Sequence, residues 1–538
     1  MYCMKISDCK SAFTVVYILC ACFFCACNQQ PEKNIPKITD AADQKEKNIQ
    51  GNFSNQQELF IDSSQLKSFF KTYPGLDNYA SDVKQFYNYR HFLYAWYNKS
   101  GLVEQASTLY NDLNNGELEG IQSKLPYKAS LDSMLEDLQT VDAPNPELEI
   151  LLTAEYLFYA DKVWNGISEK NTEKLEWLLP RKKLNLPFIT DSLLKDSSSK
   201  LFDKRYNFRQ YGLLQNQLKK YRDLAAAGLW DSISMNVKEI KKLDSSEVVK
   251  AIRHRLFLLG DLESDAQNAI FDNRLEEAVL SFQERNGMEP DGRIGNGFIK
   301  EINSSPAENM RRIIINMERT RWIPTDLSDH YLIINIPAFS LYAFDKDTMS
   351  FQMNVVVGKE VHKTVIFSGD MKYIVFSPYW NVPASIMKSE VLPAIRKNPN
   401  YLKKNNMEWN GNTIRQKPGP KNSLGLVKFL FPNTHNIYLH DSPAKSLFGA
   451  TSRAFSHGCI RLAEPKKLAV YLLKDDAKWT EEKIDKAMHA GVEKFVTLNK
   501  PVPVFIGYLT AWVDNGGRLN FRKDIYDRDQ PLEEMITR

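Results

Sequence analysis

The 538-residue sequence predicts a multi-domain chain: an α-helical N-terminal scaffold, a small three-helix module, then a mainly β domain with flanking helices. Three observations predict it. Large apolar residues recur at three- and four-residue spacing through the first half. A short unit near the middle is punctuated by Asn-Gly and Asp-Gly. From about residue 306, β-branched runs alternate with turn signals.

Length alone favours three or four domains. Hydrophobic residues make up 43% and charged residues 25%, enough to bury real cores. The formal charge of +4 is small for this length and gives no support for a nucleic-acid partner.

Of seven cysteines, Cys3, Cys9, Cys20, Cys22, Cys25 and Cys27 lie in the first 27 residues, and only Cys459 follows. The body therefore holds no disulfide framework and no multi-cysteine zinc site. Lys5 and Lys10 flank the apolar run Ala12 to Ala26, the shape of an export signal over 1–27. Phe24-Cys25-Ala26-Cys27 resembles a loose lipobox, which would make Cys27 the lipidated first residue of the mature chain. Plain cleavage and a retained anchor are the alternatives. Each places the body outside the cytoplasm, in the periplasm, and a lipid or a retained anchor would hold it at a membrane.

Residues 28–55 are polar and read as a flexible tether. Residues 56–255 read as the helical scaffold, with stripes such as Phe86, Tyr89, Arg90, Leu93 and Trp96, or Leu148 through Tyr159 to Trp164. Residues 256–305 form the small module: Leu275, Ala278, Val279, Phe282 and Gln283 have helical spacing, Asn286-Gly287 ends that helix, and Asp291-Gly292 turns into the next. Residues 306–520 read as the β domain, with runs at 331–336, 341–344 and 351–357. Its strand pattern breaks between 379 and 416, an insertion long enough to be a lid or binding segment. Asn515-Gly516-Gly517 marks a closing hairpin, and 521–538 is left as a tail.

The chemistry concentrates in Ile437-Tyr438-Leu439-His440-Asp441 and Ser456-His457-Gly458-Cys459-Ile460-Arg461. A thiol attacks carbonyls as thiolate, and an imidazole beside it removes the proton. His440 ends a β run, and Cys459 follows 19 residues later, a loop able to return beside the strand end. Gly458 lets backbone approach a substrate and frees N–H groups around Cys459 for an oxyanion hole. Arg461 is placed to hold a carboxylate.

This segment resembles the catalytic motif of the L,D-transpeptidase (YkuD-type) family: a His, a gap, then Ser-His-Gly-Cys and Arg. Arg415 to Gly425, with Ile437 to Pro443 and Arg453 to Ser456, resembles the large, multi-domain YcbB-like branch. The 256–305 unit resembles that branch's peptidoglycan-binding module. The resemblance implies Cys459 as nucleophile and His440 as general base. His457, Gly458 and Arg461 match the motif's remaining positions; His457 and Arg461, with Ser456, Asp441 and Trp380, are read as substrate-side residues, Trp380 with core packing as its alternative. Relatives of the branch can carry Ser at the place of His457, which favours His440 as the base. The group orienting His440 is left between the Asp441 side chain and a backbone carbonyl.

The implied reaction is acyl transfer between two peptidoglycan stem peptides. Cys459 forms a thioester on a tetrapeptide stem and releases D-alanine, and a side-chain amine of a neighbouring stem resolves the thioester as a 3→3 cross-link. No metal or organic cofactor takes part. Two rivals are an L,D-carboxypeptidase or endopeptidase using the same thioester, and a non-catalytic wall-binding lipoprotein scaffold.

Overall fold

A computed structural model describes residues 59–98, 101–137, 144–195, 200–325, 327–346 and 348–537. The export signal, Cys27 and the 28–55 tether lie outside the described residues. Among the described residues, no helix is long and apolar enough to cross a membrane.

The helical scaffold is built around α1 (Pro146–Trp164). Asn145 caps it by accepting from the Glu147 and Leu148 amides, and Pro146 stands where no amide partner is needed. α1 is buried on nearly all sides, because Phe86, Trp96, Leu109 and Phe202 surround Tyr156 and Trp164. The stripe through Phe86 was expected to stay helical to Trp96. The helix instead ends at Tyr89, His91 and Phe92 adopt positive φ, and Leu93 bridges to Phe60. The same apolar spacing is satisfied by a turn that tucks Trp96 against α1.

α2 (Gln210–Ala227) corrects the expected scaffold boundary. Its buried face, Tyr211, Leu214, Leu218 and Tyr221, packs into the core of the β domain. The small module also begins earlier than 256. Its core joins Ile233 and Ile240 to α3 (Glu247–Leu259), α4 (Asn273–Arg285) and α5 (Asn296–Ile302). A boundary at 256 would cut α3 in two.

α6 (Pro306–Arg321) occupies the stretch where strands were expected to start. A Ser305–Glu308 capping box and Pro306 fix its start, and it lies along α2. The strands begin with β1 (His330–Asn335), β2 (Ser340–Asp345), β3 (Thr348–Gly358) and β4 (Ile366–Phe376). The insertion at 379–416 is a folded unit. β5 (Trp380–Asn381), β6 (Met407–Asn410) and β7 (Thr413–Gln416) make a small sheet over Val382, Val391 and Ile414, with helical turns between them.

The main sheet resumes with β8 (Val427–Leu430), β9 (Leu439–His440), β10 (Ala454–Ser456), β11 (Ile460–Leu462) and, after two helices, β12 (Lys494–Gly507). Its order is β8-β9-β11-β3-β2-β1-β12-β4, and β4 pairs β8 so that the ring of strands closes. Leu332, Leu341, Val355, Ile374, Leu439 and Ile460 share the face turned to the main core.

The hairpin β13 (Ala511–Val513) and β14 (Leu519–Phe521) forms around the expected Asn-Gly-Gly turn. The 521–538 segment is no loose tail. Tyr526, Leu532 and Ile536 are buried in the main core, the last two on the helix Asp529–Ile536.

Candidate active site

The site rests on one strand pairing. β9 and β11 run parallel, with Leu439 opposite Ile460 and His440 opposite Arg461. The Ile460 amide donates to the Tyr438 carbonyl at 3.2 Å, so Tyr438 stands beside Cys459. Leu439 and Ile460 point into the core. Alternation then puts His440 and Arg461 on the other face, and brings Tyr438 to that same side. Neighbouring strands are about 4.8 Å apart and alternate residues about 6.6 Å along. Imidazole, thiol, phenol and guanidinium thus share one small patch.

His440 is buried, and its Nδ1–H donates to the backbone carbonyl of Asp441 at 2.5 Å. That bond selects the tautomer whose Nε2 is bare and able to take a proton. Burial first, then the Arg461 guanidinium, holds His440 down at about 3, with the Asp441 bond opposing. The imidazole is therefore neutral at rest.

The Asp441 side chain plays a different part from the one expected. It is buried, with Oδ1 accepting from the Ser442 amide at 2.7 Å and Lys445 Nζ at 2.6 Å, and Oδ2 from the Leu426 amide at 2.9 Å. A carboxylate so engaged does not orient the imidazole. It fixes the turn whose carbonyl does. Gly425 makes this possible, because a Cβ there would meet the Asp441 carboxylate at 2.3 Å, and its φ is +64°.

The Cys459 loop is held from within. Ser456 Oγ donates to the Cys459 carbonyl at 2.5 Å and accepts from the Gly458 amide at 3.1 Å. Gly458 has φ +115° and its carbonyl accepts from Thr364 Oγ1 at 2.8 Å. Tyr526 of the C-terminal segment donates to the Gly358 carbonyl at 2.5 Å and receives the Thr364 amide at 3.2 Å. Ser456 is thus a buried brace of this loop. The Gly458 amide, expected in an oxyanion hole, is spent on Ser456. Among the described residues no acceptor takes the Cys459 amide, which leaves that N–H available.

The Cys459 thiol donates to the Asn436 carbonyl at 3.7 Å. Burial pushes the thiol above its ordinary value, while Tyr438 and Arg461 pull the other way. Tyr438 lies with its ring centroid 5.7 Å from that of His440. Burial and the nearby Cys459 push its phenol well up, so it stays a donor. Sequence reasoning missed Tyr438 and Asn436 as site residues. The alternation two residues before His440 was the available signal for Tyr438. An apolar cleft of about 300 Å³, walled by Tyr373, Phe431, Pro432 and Phe495, opens beside both.

Arg461 has a buried Nε without a hydrogen-bond partner, and no carboxylate pairs with it among the described residues. His457 is half exposed. Its Nε2 lies 3.4 Å from Glu390 Oε1 of the insertion, and its ring stacks on His362 at 4.9 Å. His362 therefore belongs to the site's rim. Trp380 packs in the insertion's own core. Arg415 pairs with Glu408 at 2.7 Å and lies over Tyr379.

A neutral imidazole with a bare Nε2, a neutral thiol, a free amide and an unpaired guanidinium on one face suit nucleophilic acyl transfer by a cysteine. The comparisons agree with that class. Residues 329–494 match the family model of the L,D-transpeptidase catalytic domain (YkuD). Residues 81–218 match a scaffold domain, and residues 245–302 a "Putative peptidoglycan binding domain". The chain carries an L,D-transpeptidase catalytic domain together with a peptidoglycan-binding domain, behind a helical N-terminal region.

A Haemophilus influenzae protein named "Putative L,D-transpeptidase" is 29% identical over 243 residues, covering 41% of this chain and 49% of the relative. The chain thus spans about half the length of that relative. Among solved structures, the L,D-transpeptidase of Xylanimonas cellulosilytica is 14% identical over 51% of this chain and 100% of that chain, with a TM-score of 0.18. The L,D-transpeptidase from Mycobacterium smegmatis is 14% identical over 33% of this chain and 58% of that chain, with a TM-score of 0.19. Superpositions this loose carry no argument about this chain.

Proposed function

We propose that the protein is an exported peptidoglycan L,D-transpeptidase whose nucleophile is Cys459. The β9–β11 register carries the reading, because it sets His440 and Arg461 side by side next to the thiol. His440 Nε2 takes the thiol proton as Sγ attacks the carbonyl at the L-centre of the third stem residue. The developing oxyanion is met by the Cys459 amide and the Tyr438 hydroxyl. Collapse passes the proton to the leaving D-alanine amine and leaves a thioester. An amine from a second stem then resolves it as a 3→3 cross-link. Arg461 binds a stem carboxylate. The module around α3 to α5 holds the polymer, and a lipid on Cys27 ties the chain to a membrane.

The test is mass spectrometry of tetrapeptide muropeptides incubated with the full chain. Cross-linked products with loss of D-alanine are expected. Tripeptides without cross-links would remove the transferase half of the proposal, and unchanged muropeptides would remove the whole.

A further inference from the structure

The insertion and the nucleophile loop meet at His457 and Glu390. Glu390 stands in the turn Met387–Val391, next to Val391, which is 2% exposed in the insertion's core. That anchor holds a carboxylate in front of the nucleophile loop. Both side chains stay open to solvent, at 56% for Glu390 and 41% for His457. A polar contact this exposed adds little to stability, so it is poorly explained as a structural brace. His362 stacks on the far face of His457. Burial, His362, Lys359 and Arg461 together hold His457 below its ordinary value against Glu390, so the imidazole is neutral and can accept a proton.

Resting on the thioester reading above, the second half-reaction needs a device that His440 alone does not supply. The acceptor arrives as an ammonium. It must lose one proton before it can attack and a second as the amide forms. We propose that Glu390 and His457 are the acceptor site, Glu390 binding the incoming ammonium and His457 Nε2 removing its first proton to solvent. The free amine then attacks the thioester carbonyl. A C–N bond forms and the C–S bond breaks. The second N–H proton passes to His440 Nε2 and from there to the departing thiolate. The sum is thioester plus ammonium giving amide, thiol and one proton.

The ligand class is a primary alkylammonium. The site consists of one carboxylate and one neutral imidazole. Its removal should divide acceptor chemistry from donor chemistry.

The experiment uses the full chain with a tetrapeptide donor. Thioester formation is followed by D-alanine release, and acceptor use by the ratio of cross-linked to hydrolysed product. Glu390→Gln is expected to raise the KM for the amine acceptor by about ten-fold or more, while D-alanine release changes by less than about three-fold. Glu390→Asp should recover part of the loss. Hydroxylamine, whose nitrogen is uncharged at neutral pH, should resolve the thioester equally well in wild type and Glu390→Gln. An unchanged acceptor KM would overturn the proposal. So would an equal loss with hydroxylamine, which would make Glu390 a positioner of the insertion. If the wild type forms no thioester, it is the function reading that falls.

Discussion

Blocking Cys459 with iodoacetamide tests whether the resting site is a neutral pair or a thiolate–imidazolium pair. Alkylation by this reagent reports thiolate directly. Burial pushes the thiol above its ordinary 9.0 and holds His440 at about 3, so proton transfer between them is uphill at rest. At neutral pH the thiol is then overwhelmingly protonated. The alkylation rate should climb about ten-fold per pH unit from 6 to 8 and show no acidic plateau. His440→Ala should leave that climb in place, yet slow thioester formation on a tetrapeptide donor by about 10²- to 10⁴-fold, since His440 acts only as the proton moves. Mass spectrometry of the adducts against time measures both. A rate of alkylation that is flat between pH 5 and 8 and collapses in His440→Ala would refute the neutral-pair reasoning.

Other consequences follow from the same geometry. Cys459→Ala should abolish turnover and leave the circular dichroism spectrum and melting temperature intact. His440→Ala should cost far more D-alanine release than His457→Ala, whose loss falls on acceptor use. Asp441→Asn weakens the bonds to Leu426, Ser442 and Lys445. It should lower stability by about 2 kcal/mol in denaturant titration, and activity should fall with it as the carbonyl under His440 loosens. His440 also makes the fold acid-sensitive. Its folded value lies below the unfolded 6.5, so its contribution is complete above pH 6.5 and is lost as pH falls toward 3. The ceiling is roughly 5 kcal/mol. His440→Asn should flatten the decline of melting temperature over that range.

Much of the layout was legible in residue order. The aliphatic runs at 331–336 and 351–357 became strands because alternation and β-branching suit a half-buried sheet. Asn286-Gly287 closed α4 and Asn515-Gly516-Gly517 turned the last hairpin, since those residues accept left-handed backbone. The boundaries failed where one helix serves another unit's core. α2 carries an ordinary apolar stripe, and nothing local says that Tyr211 and Leu218 pack with the sheet instead of with α1. The insertion read as broken pattern because its strands are four residues or fewer. The last 18 residues read as a tail because Tyr526, Leu532 and Ile536 are too sparse to announce burial.

The sequence by itself determined which groups are present and near one another along the chain: one thiol in the body, a histidine at a strand end, a glycine before the cysteine and an arginine after it. Those are properties of composition and short spacing. Tertiary structure decided which atom of each group is used. The parallel register added Tyr438 to the patch. The choice of the Asp441 carbonyl over its carboxylate depends on Lys445 and two amides claiming the latter. Ser456 took the Gly458 amide, and the insertion brought Glu390 to His457 across 67 positions of chain. A hydrogen-bonding group has several possible partners, and only the packed chain excludes all but one of them.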